Sequence, residues 1–213
     1  MKKNKLFLSF VFVLFASVSL LSAKDLSLKD VCDGMAAHPV TRGKFVQGKT
    51  LVTKNGSREL KSYGNFIFSL DGIYWKTEKP FPSSMIITKS FIKQRSASGQ
   101  ENVIDGSDSQ VFSSMAEILT AIFAGDVSIL EENFSIDFKD LGNGDWKADF
   151  IPENSSLSSV LGGLALEGKW NESETELDTV AIKQNGSAVV KYTFSNHTYS
   201  KELTADEKAL FSK

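Results

Sequence analysis

Apolar residues along the chain follow two periods, and each period predicts a different element. The first apolar stretch follows Ser27, a residue type that often caps helices, and has the three- and four-residue spacing of an amphipathic helix. Its members are Leu28, Val31, Cys32, Met35 and Ala36. The spacing predicts one helix, which His38-Pro39 should end.

From Thr41 the apolar period changes to two, which predicts antiparallel strands joined by tight turns. The predicted strands cover residues 42–54, 58–70, 72–79, 84–89, 91–97, 133–140, 145–151, 163–170, 176–184 and 188–196. Turn-forming pairs such as Asn55-Gly56 and Asp71-Gly72 separate several of them. We expect the Ser-rich stretch 154–159 to be a linker and residues 205–211 to form a short closing helix.

A broad apolar stripe stands between the two blocks of strands and ends at Gly125. Its members are Val111, Phe112, Met115, Ile118, Leu119, Ile122 and Phe123. The stripe predicts a helix over 110–124 with an unusually wide apolar face. Because this helix arrives between two sets of strands, we interpret it as a lid on the structure that the strands form.

The predicted elements favour a mainly β chain with few helices. An open sheet of about ten strands exposes its edges, so we expect an incomplete, half-open antiparallel β-barrel. Alternation places one set of apolar residues toward its interior: Phe66, Phe68, Leu70, Ile73, Trp75, Met85 and Ile87. Two interpretations of this set stay open, a packed core and an apolar cavity covered by the helical lid.

The first 23 residues are typical of a cleaved signal peptide. Lys2, Lys3 and Lys5 precede an apolar run over 6–21, and Ala23 offers a small residue for cleavage. A membrane anchor is the alternative, but this run of sixteen residues is interrupted by serines and is short for a span. We expect an exported protein whose residues 24–213 form a single domain.

Charge and composition exclude several classes of partner. The formal net charge is −2 and the lysines are scattered, so we expect no nucleic-acid partner. Cleavage would leave 21 of the 24 Lys and Arg against 26 Asp and Glu, which makes the exported body mildly acidic. One Cys and two His provide neither a disulfide framework nor a zinc site, and we expect no metal and no cofactor.

One enzyme motif is present, in a setting that argues against its usual role. Residues 43–50 fit the phosphate-binding pattern G-x-x-x-x-G-K-[ST], which requires a strand before the loop and a helix after it. Here a helix precedes the motif and a predicted strand follows. A catalytic triad would need His38 or His197, both expected at the surface, and no G-x-S-x-G elbow is present. We expect no enzyme, although an exported hydrolase or a P-loop protein stays an alternative.

The order of motifs after the first helix resembles a known family. Phe45-Val46-Gln47, Ser62-Tyr63-Gly64, Asp71-Gly72-Ile73-Tyr74-Trp75 and Pro80 follow one another as F-x-Q, S-x-G-x-F, G-x-x-W and P. This series resembles LolA, the periplasmic carrier of outer-membrane lipoproteins, and its relatives. The order of elements extends the resemblance over nearly all of residues 24–213.

The resemblance implies a monomeric periplasmic protein with an incomplete β-barrel, a helical lid and an apolar cavity for lipoprotein acyl chains. It implies loading by an inner-membrane transporter and delivery to an outer-membrane acceptor. The chain departs from the family at Ser69-Leu70-Asp71-Gly72, where the carriers have an Arg-Pro pair that resembles a latch for the lid. Another lipid is therefore an alternative cargo, such as a glycolipid exchanged with a membrane exporter.

Overall fold

A single antiparallel sheet of 11 strands forms the body of the protein. The computed structural model describes residues 25–53, 56–105, 118, 120–122, 124–159, 161–172, 174–184 and 189–212, so the predicted signal peptide lies outside the described residues. The strands are β1 (Val40–Thr53), β2 (Gly56–Ser69), β3 (Gly72–Lys79), β4 (Ser83–Ile87), β5 (Phe91–Arg95), β6 (Glu101–Asp105), β7 (Phe134–Gly142), β8 (Asp145–Pro152), β9 (Leu161–Asn171), β10 (Glu174–Gln184) and β11 (Val189–Ser200).

The strand order is β6-β5-β4-β3-β2-β1-β11-β10-β9-β8-β7. Nearly all neighbours are consecutive in sequence, as expected for strands joined by short turns. The exception is the pairing of β1 with β11, which joins the two halves of the sheet and aligns Phe45 with Phe194. At the turn between β2 and β3, Gly72 has φ of +146°, and an added Cβ would overlap the carbonyl oxygen of Ile87.

Four short helices accompany the sheet: α1 (Leu28–Ala36), α2 (Val127–Asn133), α3 (Ser155–Ser158) and α4 (Ala205–Leu210). Ser27 and Thr204 cap α1 and α4, each through a capping box. Residues 118, 120–122 and 124 are also helical. Within the described ranges, no helix has the length and apolar character that crossing a bilayer requires.

The hydrophobic core lies on one face of the sheet, which we call the inner face. Val31, Cys32 and Met35 of α1 are buried there, as the sequence period predicted. They pack in one continuous cluster with Ile118 and Ile122 and with apolar residues of β1, β2, β3, β7, β8, β9, β10 and β11. Because both halves of the sheet contribute to this one core, the sheet curves around the helical segments.

The mainly β class and the predicted strands are confirmed, but the sheet is not closed into a barrel. Strands β6 and β7 stand at its two edges. Both edge strands contain charged side chains, which are compatible with an edge that faces solvent: Glu101 and Asp105 on β6, and Asp137 and Lys139 on β7.

The sequence missed β6, α2 and α3. Strand β6 has only two apolar residues, Val103 and Ile104, and it is a strand because it pairs with β5, where Lys93 aligns with Val103. In the Ser-rich segment expected as a linker, Asn154 caps α3 by accepting a hydrogen bond from the backbone N–H of Leu157.

Candidate functional site

Aromatic side chains of β1, β2, β3 and β11 meet on the inner face and form what we call the aromatic wall. Its members are Phe45, Phe66, Phe68, Trp75, Tyr192 and Phe194. Trp75 lies at the centre of this group. Its ring centroid is 4.6 Å from that of Phe45 and 4.7 Å from that of Tyr192. Phe66 stacks on Phe68 at 4.3 Å and meets Phe194 edge-on at 5.0 Å. Such offset and edge-on contacts are the favoured geometry for aromatic rings.

Strand register extends the wall across the sheet as two rows of inner-face residues. One row pairs Phe66 with Trp75, Trp75 with Met85, Met85 with Gln94 and Gln94 with Asn102. The neighbouring row is apolar throughout: Phe68, Ile73, Ile87, Ile92 and Ile104. The first row therefore leads from the buried core to a polar rim.

An open groove of about 560 Å³ begins where the aromatic wall reaches solvent. Its residues are Gln47, Trp75, Thr77, Ser83, Ser84, Met85, Gln94, Arg95, Ser96, Gln100, Asn102 and Tyr192. Trp75 and Tyr192 are half-buried, so each ring has one part in the core and another in the groove. The volume is within the range of small-molecule binding sites.

The lining of the groove is nearly uncharged. Among the described residues that line it, Arg95 is the one cation, and its guanidinium lies 3.1 Å from the Glu101 carboxylate. Burial raises the pKa of the Tyr192 phenol, which therefore stays neutral. An aromatic and Met floor beneath a rim of Ser, Gln and Asn suits a ligand with an apolar body and a neutral polar head.

Gly64, the glycine of the S-x-G-x-F motif, lies opposite Phe45 of the aromatic wall, where there is no room for a side chain. A Cβ at this position would overlap the carbonyl oxygen of Lys76 and lie 2.8 Å from the Phe45 ring. The neighbouring motif residue Gln47 lines the groove. Two residues of the family-like motif thus shape or border the same site.

The structure divides the predicted interior set. Phe66, Phe68 and Ile73 are buried in the core, and Ile87 packs against it. Trp75 and Met85 line the groove.

The placement of Leu70 with this set was wrong. Strand β2 ends at Ser69, so Leu70 lies in the following turn and its side chain is 57% exposed.

The predicted lid is described only in part. Ile118 and Ile122 are helical and fully buried in the same core as α1. Phe112, Met115, Leu119 and Phe123 lie outside the described residues.

Sequence reasoning missed three members of the aromatic wall, Phe45, Tyr192 and Phe194, and two residues of the apolar row, Ile92 and Ile104. Tyr192 and Phe194 alternate with polar residues in the predicted strand 188–196, so period-two alternation could have placed them on the inner face. Their meeting with Phe45 depends on the pairing of β1 with β11.

The two histidines are half-buried rather than at the surface as expected. Asn196 has φ of +57°, and the register between β1 and β11 shifts beside it, which turns His197 toward the inner face. The His197 Nδ1 atom lies 2.7 Å from a Glu176 carboxylate oxygen, and the His38 ring stacks on Tyr199 at 4.1 Å. Burial and nearby carboxylates raise the pKa of Tyr199 to about 12, which leaves its hydroxyl a poor nucleophile at neutral pH.

The P-loop-like residues 43–50 lie entirely within β1, between β2 and β11. No helix N-terminus follows them to receive a phosphate, since Thr50 continues in the same strand. Among the residues that the structure describes, no cluster of three or more His, Cys, Asp and Glu side chains could hold a metal ion.

Structural comparison finds proteins with a similar overall fold. A domain from Vibrio parahaemolyticus, provisionally named an outer membrane lipoprotein-sorting protein domain, has 10% identity and a TM-score of 0.45, and the match covers 86% of this chain and 97% of that one. A DUF1329 family protein from Desulfovibrio piger has 9% identity and a TM-score of 0.48, with 87% and 94% covered. A LolA superfamily protein from Nitrosomonas europaea has 7% identity and a TM-score of 0.43, with 87% and 96% covered.

A LolA superfamily protein is thus among the structures that the chain is similar to, and the likeness concerns the overall fold alone. No family model and no curated protein sequence matches the chain.

Proposed function

We propose that the protein is a non-enzymatic periplasmic carrier that binds lipoprotein acyl chains and takes them from the inner to the outer membrane. The observation that carries this proposal is the continuity of the aromatic wall with the open groove, through the half-buried rings of Trp75 and Tyr192. An acyl chain in the groove would extend the core without requiring a charged partner. The F-x-Q, S-x-G-x-F and G-x-x-W motifs support the same function by resemblance.

The energetics define what such a carrier needs from its partners. Transferring a sixteen-carbon chain out of water is worth about 12 kcal/mol at ~0.8 kcal/mol per CH₂, and a membrane offers the same gain. Net transport therefore requires a transporter that loads the carrier at the inner membrane and an acceptor of higher affinity at the outer membrane.

The helix that contains Ile118 and Ile122 is proposed as the lid. Both residues are buried in the same core as Phe66, so outward movement of this helix would uncover apolar surface that continues the aromatic wall. A bound acyl chain would replace the contacts that the helix gives up.

Binding of a fluorescent fatty acyl probe tests the carrier function, together with mass analysis of lipid that co-purifies with the protein. Trp75→Ala removes the ring at the head of the groove and should weaken probe binding about tenfold, since a buried aromatic side chain contributes about 1.5–3 kcal/mol. Trp170→Ala is the matched control, because Trp170 is half-buried at the opposite end of the sheet. Equal losses in the two variants, or no probe binding by the wild type, would contradict the proposal.

A glycolipid chaperone that works with a membrane exporter is the second candidate. The polar rim favours it, because the hydroxyl and amide groups of Ser83, Ser84, Gln94 and Asn102 line the same groove as Trp75 and could contact a sugar headgroup. Competition between the probe and either a triacylated lipopeptide or a glycolipid of equal chain length separates the two. The better competitor identifies the cargo class.

A further inference from the structure

Three neighbouring hairpin tips at one end of the sheet carry exposed apolar side chains. They belong to the β1–β2, β3–β4 and β10–β11 hairpins, and we call the described residues beside their three turns the hairpin end: 48–53, 56–63, 78–83, 183–184 and 189–191. Among the described residues, eight large apolar side chains are exposed, and four of them lie on this end: Leu60, Tyr63, Phe81 and Val189. Phe81 is the most exposed at 74% and stands between Pro80 and Pro82.

The β1–β2 hairpin projects beyond the strand beside it. Pairing of β2 with β3 ends at Tyr63, which aligns with Lys79, whereas pairing with β1 continues to Gly56. On the β3 side the projecting part is about 20 Å long at ~3.3 Å per residue. On the other side β11 accompanies β1 as far as Thr50, which aligns with Val189. Leu60 and Tyr63 lie along it and Phe81 lies near its base, so the apolar side chains are spread over separate tips rather than over one flat patch.

The same tips concentrate positive charge in a chain whose net charge is −2. The described residues of the segments 48–61, 78–83 and 183–191 include six Lys and Arg (Lys49, Arg58, Lys61, Lys79, Lys183 and Lys191) against Glu59 and Glu78. Glu59 lies 3.4 Å from Lys61, and Glu78 accepts a hydrogen bond from Asn65. Elsewhere many cations have an acidic neighbour, as Lys139 has Asp137 and Lys147 has Asp149.

We propose that the hairpin end docks the protein onto an anionic phospholipid surface. Basic side chains are attracted to anionic headgroups, while isolated apolar side chains on protruding tips can enter the boundary between headgroups and acyl chains. A fluid surface accommodates tips of unequal height, whereas a folded protein partner would need a complementary shape for each one. Charge complementarity and the separation of the tips therefore favour a bilayer over an acidic protein.

If the protein docks through this end, the groove opens toward the membrane. Ser83 begins β4, Arg95 ends β5, and Asn102 lies at the start of β6, so all three groove residues lie at the end of the sheet that carries the β3–β4 tip. This consequence rests on the proposed carrier function, since it gives an acyl chain a short path between bilayer and groove. The docking itself does not depend on any cargo.

Vesicle co-sedimentation tests the docking surface with the full exported chain and no cargo. We expect binding to vesicles of phosphatidylcholine with 30% phosphatidylglycerol, weakening as salt rises from 50 to 500 mM, and little binding to phosphatidylcholine alone. Phe81→Ser and the double variant Lys61→Glu/Lys79→Glu should each reduce binding about tenfold. Both changes are at exposed positions, and a cooperative melt verifies that each variant is folded.

Matched controls use the opposite end of the sheet. Leu141→Ser changes a residue of comparable exposure, 59%, at the β7–β8 turn, and Lys89→Glu reverses an exposed charge at the β4–β5 turn. Both controls should bind vesicles like the wild type. Equal losses in the controls, or no binding of the wild type to the anionic vesicles, would overturn the proposal, and the second result would favour an acidic protein as the partner.

Acyl-probe binding in vesicle-free solution separates this proposal from the carrier function. Phe81→Ser should bind the probe like the wild type, because Phe81 lies outside the groove lining. A wild type that binds the probe but no vesicles would refute the docking alone, and one that binds vesicles but no probe would refute the carrier function alone.

Discussion

Phe68 has ring contacts on three sides: it stacks on Phe66 and lies 5.7 Å from Phe194 and 5.9 Å from Trp75. Its side chain is only 5% exposed. The space beside it, between α1 and β10, is a cavity of about 20 Å³, enough for a water molecule and far too small for an acyl chain. At this residue the packed-core interpretation fits better than the cavity-wall interpretation.

Phe68→Ala should therefore lower the free energy of unfolding by about 3–5 kcal/mol, as for a fully packed aromatic residue. Phe68→Glu should prevent folding, because it would place an unpaired carboxylate among aromatic rings. Denaturant unfolding of the alanine variant and circular dichroism of the glutamate variant measure these effects. The cavity-wall interpretation would instead be supported if Phe68→Ala lowered the free energy of unfolding by only about half as much and Phe68→Glu folded but no longer bound the acyl probe.

At the scale of elements, an ion pair between Arg42 and Glu207 connects α4 to the sheet. The Arg42 Nε atom lies 2.6 Å from Glu207 Oε1, and its Nη2 atom lies 2.7 Å from Oε2, a bidentate arrangement. Hydrogen bonds from this guanidinium are the main reason that the pKa of Glu207 falls from 4.5 to about 2. The sequence contained both residues, but 165 positions separate them and no local pattern could pair them.

Glu207→Gln should weaken the docking of α4 by about 1–2 kcal/mol at pH 7, a value reduced for partial solvent screening. A lowered native pKa means that the stabilisation is complete above the ordinary value of 4.5 and is lost as pH falls toward 2. Hydrogen-exchange protection of α4 in the wild type should thus decrease over that interval and change less in the variant. Asp206→Asn, at an exposed neighbouring position, is the control, and identical pH profiles for wild type and Glu207→Gln would refute this role.

At the scale of the whole molecule, the helical segment around residue 122 decides how much of the inner face is covered. Ile122 is fully buried with α1 and the sheet, so a lid that opens must expose this side chain. If a ligand binds only the open form, its apparent affinity falls in proportion to the fraction of molecules that are open.

Ile122→Ala should lower the free energy of unfolding by about 2–4 kcal/mol and also increase affinity for the acyl probe, because it weakens the closed state that competes with cargo. Leu166→Ala is the control, since it removes a buried β9 side chain from the same core and leaves the helix itself unchanged. Thermal melts and probe titrations measure both quantities. If the two variants lose stability and neither gains affinity, the segment is part of a permanent core.

The sequence alone determined most of the local structure, because the signals are local. Period-two alternation and turn residues fixed strands such as β3, predicted and observed at 72–79, and Ser27 with the apolar spacing fixed α1. Strand β6 escaped detection because a short polar segment becomes a strand only when a neighbour such as β5 offers its backbone groups.

Only the tertiary structure decided which apolar residues form the core and which border the groove. Alternation assigns a residue to a face but does not say what covers that face, so Phe68 and Trp75 looked equivalent in sequence. The pairing of β1 with β11, which brings Phe45 and Gln47 together with Phe194 and Tyr192, joins positions more than 140 residues apart. Such contacts come from non-local strand pairing, which depends on the backbone groups of a distant strand and not on a local pattern around either residue.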